Sequence, residues 1–190
     1  MSRATWFVLL LAVSSGTISS GALAMAHSNN PNRAACEVWL REMAFAKSVQ
    51  RHDAAAFATF LAGDAVFDAN TDKPTHGARA VRQHWAAIIA GKTVRLDWYP
   101  QHVVAAADSA LAYSSGVYLF ENPETHAKPR YLTGHFSTTW RRDGDDVWRV
   151  AFDGGDEGRP ASDTQVKAFR AGRRNECPMV TVAELPTIRH

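Results

Sequence analysis

The stretch from Tyr131 to Gly155, YLTGHFSTTWRRDGDDVWRVAFDGG, leaves this chain few folds to choose from. Leu132, Gly134, Phe136, Thr138 and Trp140 alternate with Thr133, His135, Ser137, Thr139 and Arg141. Successive side chains of a strand point to opposite faces, so the alternation sorts an apolar face from a polar one. Asp143, Gly144, Asp145 and Asp146 supply a turn. Beyond it Trp148, Val150 and Phe152 alternate with Arg149, Ala151 and Asp153, a second strand with one apolar face. The segment is expected to be a β-hairpin that covers a core with Phe136, Thr138 and Trp140 and turns His135, Ser137 and Arg141 outward.

The remainder of the 190 residues can supply that core, since 46% are hydrophobic and 21% charged. The formal charge is +2, and +1 without the first 26 residues, which hold Arg3 and no acid. So even a balance gives no electrostatic footing for nucleic acid. Met1 to Ala26 reads as a secretory signal: Arg3, an apolar run from Trp6 to Val13, then small and hydroxylated residues ending in Ala24, Met25 and Ala26. The apolar run is shorter than the roughly 20 residues of a membrane-spanning helix. A periplasmic or secreted protein, cleaved near Ala26 and free of the membrane afterwards, is expected. Its cysteines are then Cys36 and Cys177. In an exported protein they read as a disulfide tying the tail to the first helix, with two unrelated buried thiols as the alternative.

Along the chain, His27 to Arg33 reads as a flexible leader. Ala34 to Gln50 has helical spacing, with Cys36, Trp39, Leu40 and Met43 on one face and Val38, Phe45 and Val49 on another, so protein is expected to wrap this helix. Asp53 is placed to cap a short second helix and Gly63 to end it. Ala65 to Asp68 reads as a strand, Gly77 to Ala90 as a third helix stopped by Gly91, and Val94–Trp98, Val103–Ala107 and Leu111–Phe120 as strands before the hairpin. Helices first and an antiparallel meander after them make an α+β domain over residues 34–155. Residues 156–190 form a C-terminal extension, with a helix over Thr164 to Ala171.

This order, together with Asp53, Asp64-Ala65-Val66-Phe67, Gly77, Trp98 with Pro100, Leu111 to Gly116, Gly134 to Trp140 and Trp148 to Asp153 followed by Gly155, resembles the nuclear transport factor 2-like superfamily. That superfamily includes SnoaL-like polyketide cyclases and ketosteroid isomerases, and the likeness is to the SnoaL-like branch of unknown function with exported bacterial members. The resemblance implies a cone-shaped barrel, three N-terminal helices packed in a strongly bent antiparallel sheet with a pocket at its open end. It also implies dimerisation through the outer sheet face. Laid over the ketosteroid isomerase pattern, an isomerase tyrosine falls on Phe45, its late-strand acid on Thr138 and its base on Ala69 or Asp68. Two of the three roles are missing, which favours binding over that reaction.

Asp68 is the best single candidate for polar chemistry. Within the apolar surround of Phe67 and Trp85 it suits a general base, whereas bonds to the turn at Asn70 and Thr71 would make it structural. Asp153, beside Gly154 and Gly155, reads as a strand-end turn residue. Large rings mostly serve burial; of this aromatic set Trp85, Trp98, Tyr118, Phe136 and Trp140 are expected around the pocket, with the Tyr118 and Thr138 hydroxyls orienting a ligand. The histidines lack HxH or HExxH spacing, and no metal or other cofactor is expected. The expected function is therefore an exported domain that binds a small apolar or aromatic molecule. A lyase, isomerase or cyclase using Asp68, and a dimeric interaction module without a ligand, are the alternatives; fold alone does not choose among them.

Overall fold

The computed structural model describes residues 30–124 and 126–178, so the signal segment, the start of the leader and the tail beyond Pro178 lie outside the described residues. Helix α1 (Pro31–Gln50) begins three residues before the expected Ala34. The Asn30 side chain accepts the amide hydrogens of Asn32 and Arg33, and Pro31, which has no amide hydrogen to satisfy, takes the first helical position. Part of the expected leader is thus helix. Helix α2 (Ala54–Ala58) is capped by Asp53, whose carboxylate accepts from the Ala56 amide at 2.8 Å. Gly63 does not end it, because it lies inside strand β1 (Leu61–Phe67). After the two-residue strand β2 (Thr75–His76), the expected third helix is two, α3 (Ala78–His84) and α4 (Ala86–Ala90).

Strand β3 (Arg95–Ala105) joins two segments that the sequence pattern separates. Its register against β4 (Leu111–Glu121) slips between Pro100, opposite Gly116, and His102, opposite Ser115. The extra residue of this bulge breaks the alternation without breaking the strand, and it bends the sheet. Gly116 is required there: a Cβ would lie 2.1 Å from the Tyr99 carbonyl oxygen. The hairpin is β5 (Tyr131–Arg142) and β6 (Trp148–Gly155). Strand order is β2-β1-β6-β5-β4-β3, antiparallel throughout except for the parallel pairing of β1 with β6. The result is an α+β domain with a strongly curved, unclosed sheet.

The cone closes on α1, where Val38, Glu42, Phe45 and Val49 recur at helical spacing and are all buried. Phe45 sits at the centre, with Phe57, Phe60, Trp98 and Trp140 rings at 5.1 to 6.0 Å. A second, smaller cluster lies on the outer face. There Val166 and Phe169 of α5 (Asp163–Gly172) pack on Tyr99 and Leu119. Strand β7 (Arg159–Pro160) leads into that helix, and Ser162 and Gln165 form a capping box at its start. Past α5 the chain meets α1 again through a Cys36–Cys177 disulfide, with Cα atoms 5.3 Å apart. Two unrelated thiols are thereby excluded.

Candidate functional site

The open end of the cone holds a cavity of about 190 Å³ lined by Trp85, Ile88, Leu96, Trp98, Tyr118, Phe120 and Phe136, with Asp68, His84, Asp153, Gly154, Gly155 and Asp156 on its polar side. Five of the seven side chains expected around a pocket, Asp68, Trp85, Trp98, Tyr118 and Phe136, therefore line one cavity. Thr138 and Trp140 do not. Both are wholly buried behind the wall, where their polar atoms serve acids. The Thr138 hydroxyl donates to Asp153 Oδ2 at 2.9 Å, and the Trp140 indole donates to Glu42 Oε2 at 2.8 Å. The Tyr118 hydroxyl likewise already donates to the Asp156 carbonyl at 2.9 Å rather than pointing at a ligand.

The aspartate that hairpin alternation sends outward is the one that enters the cavity. Trp140 pairs with Val150 and Thr139 with Phe152, so Ala151 is an extra residue on β6 and every side chain after it changes face. Phe152 becomes 51% exposed, and Asp153 turns inward opposite Thr138. Its carboxyl is pushed well above the ordinary range, first by burial and then by the negative charges of Glu42 and Asp68; the Thr138 hydroxyl opposes this.

Asp68 reaches the same cavity from the end of β1. It adopts a left-handed backbone, φ 55°, and its carbonyl accepts from the Thr71 amide and hydroxyl. The expected turn bonds thus belong to its backbone, leaving the carboxylate to the pocket, where Oδ2 lies 3.4 Å from Nε2 of His84. His84, without a metal-like spacing in the sequence, gains a role from this placement on α3. The loop is stapled to β6 by the Ala69 amide on the Asp153 carbonyl at 3.0 Å and the Asn70 amide group on the Gly155 carbonyl at 2.8 Å. These bonds hold Asp68 and Asp153 on one wall.

Behind that wall is Glu42, which the sequence reading does not single out. It is fully buried, accepting from Trp98 Nε1 at 2.7 Å and Trp140 Nε1 at 2.8 Å. Burial raises its pKa, and the two indole bonds, with the nearby Ser114 and Thr138 hydroxyls, restrain the rise. A charged residue inside the stripe Val38, Glu42, Phe45, Val49 is the signal that marks it, because an acid on a core face needs dedicated donors. At the rim, burial would raise Asp156, but the backbone amide and ring of His135 bring it below the ordinary range. The site therefore sets the raised acid Asp153 and the Asp68 carboxyl on one wall of a cavity otherwise enclosed by rings.

Comparison with known proteins bears on the fold and the family. The chain is similar to an NTF2-like protein of unknown function from Pseudomonas putida KT2440, with 18% identity over 70% of this chain and 92% of that one and a TM-score of 0.56. It is also similar to a ketosteroid isomerase-like protein from Erwinia carotovora atroseptica SCRI1043, with 14% identity, 64% and 92% coverage, and a TM-score of 0.51. At such identities the likeness is one of fold. No curated protein matches the sequence. Residues 43–155, more than half of the chain and all of the cone beyond the first turns of α1, match the family described as SnoaL-like domain, and the chain belongs to that family.

Proposed function

We propose that this chain is an exported domain that binds a small, largely apolar or aromatic molecule in the cone, with Asp153 and Asp68 as an acid and base acting on the ligand's polar group. One observation carries this reading: two carboxyls from distant segments, in different surroundings, share one aromatic-walled cavity. Carboxyls whose environments pull them apart are the usual basis of paired acid and base roles. The isomerase-like alternative gains from the same pair, with Asp153 in place of the acid missing at position 138. Export rests on the reading of residues 1–26 and on the disulfide, a bond that persists in oxidising compartments.

A fragment screen read by tryptophan fluorescence and thermal shift tests the binding. Aromatic fragments are expected to quench Trp85 and Trp98 and to raise the melting temperature. If a turnover is found among the hits, Asp153→Asn and Asp68→Asn should each lower it by about 10²- to 10⁴-fold, the range of general acid–base assistance. Turnover undiminished in both variants rules out the acid–base assignment while leaving the binding intact.

The outer face supports the proposed homodimer. Val104, Tyr113, Thr139 and Phe152 face one another in a continuous row across β3, β4, β5 and β6, and the first, second and fourth are 62%, 46% and 51% exposed. Apolar groups clustered on an exposed sheet mark a contact surface, whereas the neighbouring part of that face lies under α5. Phe152→Asp is expected to shift the protein from dimer to monomer in light scattering at micromolar concentration. A wild-type monomer under those conditions excludes this assembly.

A further inference from the structure

The cavity's chemistry goes beyond its shape. Its walls include the rings of Trp85, Trp98, Tyr118, Phe120 and Phe136, and its polar side carries Asp68, Asp153 and Asp156 with His84; among the described residues no lysine or arginine lines it. Behind it the buried carboxyl of Glu42 accepts the indole N–H of Trp98 at 2.7 Å, which draws electron density toward the face of that ring. An anion entering here meets acids from the end of β1, from β6 and from the segment after it. A neutral ligand leaves their crowding as it is, but a cation relieves it and is attracted by ring faces as well. We propose that the ligand is a small organic cation, a protonated amine on a flat apolar frame, with its ammonium held by Asp153 and Asp68 among the rings. This inference rests on the pocket being a ligand site. A cavity of about 150 Å³ holds benzene, so about 190 Å³ accommodates one ring with a short aminoalkyl arm.

The groups facing Asp153 make its titration part of binding. Glu42 approaches from α1, Asp68 from the end of β1, the Thr138 hydroxyl from β5, and His84 and Asp156 share the cavity with it. Burial first, and then the charges of Glu42 and Asp68, shift Asp153 toward its protonated form, against the Thr138 hydroxyl. The proton balance follows. A neutral amine takes the Asp153 proton and remains as the ammonium–carboxylate pair; an ammonium arriving from solvent releases that proton to water. Ammonium affinity therefore rises with pH until Asp153 has lost its proton unaided.

Isothermal calorimetry on the full disulfide-bonded protein with phenethylamine, 2-phenylethanol and 3-phenylpropionate separates the cases. At pH 7 and low salt, phenethylammonium is expected to bind at least tenfold tighter than the alcohol, with proton release that changes the heat between buffers, and the carboxylate not at all. In Asp153→Asn, checked for an unchanged fold by amide NMR, the ammonium should lose both its tenfold preference over the alcohol and its buffer-dependent proton release; a preference that survives the substitution overturns the assignment of the ammonium to Asp153. If the alcohol binds as well as or better than the ammonium, the cation inference is overturned and the ligand pocket survives. If none of the three, nor any neutral aromatic fragment, perturbs Trp85 or Trp98, both fall together.

Discussion

Glu42→Ala is expected to destabilise the domain by about 3 to 5 kcal/mol, as a buried anchor for two indoles would. Truncation leaves the Trp98 and Trp140 N–H groups buried without their acceptors, each costing about 1–3 kcal/mol, and opens a cavity between α1, β3 and β5. Release from the burden of burying an acid offsets part of this. Glu42→Gln keeps the shape but has one acceptor oxygen where two indoles donate, so its loss should be smaller, about 1–3 kcal/mol. The pH dependence identifies the cause. A carboxyl raised by folding contributes stability that is fully present below its unfolded pKa, roughly 4.3 for Glu, and is lost as pH rises through its folded value. Glu42 and Asp153 are both raised, so wild-type stability should fall with rising pH above about 4 through these groups, and Glu42→Gln should flatten the slope without abolishing it. Glu37, held down by the Trp148 indole and then by Arg33 and Arg142, Asp64 by Arg141, Asp156 by His135, and Asp145, held by Arg149 at about 2, act oppositely and on the acid side. Urea titrations from pH 4 to 9 read both arms. A glutamine variant with wild-type stability and slope would show that the indoles do not depend on this acid.

How far the site could be read from sequence turns on two bulges and one charge. Strict alternation locates the hairpin, its turn and the inward Phe136, Thr138 and Trp140, because backbone geometry enforces a period of two. It fails at Ala151, where an inserted residue reverses the faces, so Phe152 reads as core and Asp153 as a turn residue, whereas Phe152 is exposed on the outer face and Asp153 faces the cavity. A bulge leaves little local trace in sequence, since what demands it is the curvature of the whole sheet. The bulge beyond Pro100 has the same effect on β3, splitting one strand into two in the pattern. Asp68 is legible as a polar residue after an apolar strand, but its choice between turn and pocket is set by a left-handed backbone and by Ala69 and Asn70 bonding to β6. Glu42 is passed over in the sequence although it is a charge inside an apolar stripe, and its partners lie 56 and 98 residues away, so only the fold brings them to it.

The double variant Cys36→Ser/Cys177→Ser is the second large effect, expected to cost about 3 to 5 kcal/mol by the loop-closure relation for a long closed loop. The bridge joins residues 141 apart, so almost the entire cone lies within its loop and the constraint acts on the unfolded chain of the whole domain. The native state gives α5 other anchors. Phe169 packs on Tyr99 with ring centroids 4.9 Å apart, Val166 joins the same cluster, and Arg173 pairs with Asp97 while its guanidinium lies 5.5 Å from the Tyr99 ring. Two results can therefore be told apart. If the disulfide acts through the unfolded state, the urea midpoint of the variant falls while hydrogen exchange still shows α5 protected in native buffer. If it acts as a local staple, α5 amides lose protection and the midpoint of the cone, followed by the buried tryptophans, stays where it was. The first outcome is expected, because the outer-face contacts of α5 survive the substitution and the 141-residue connection does not.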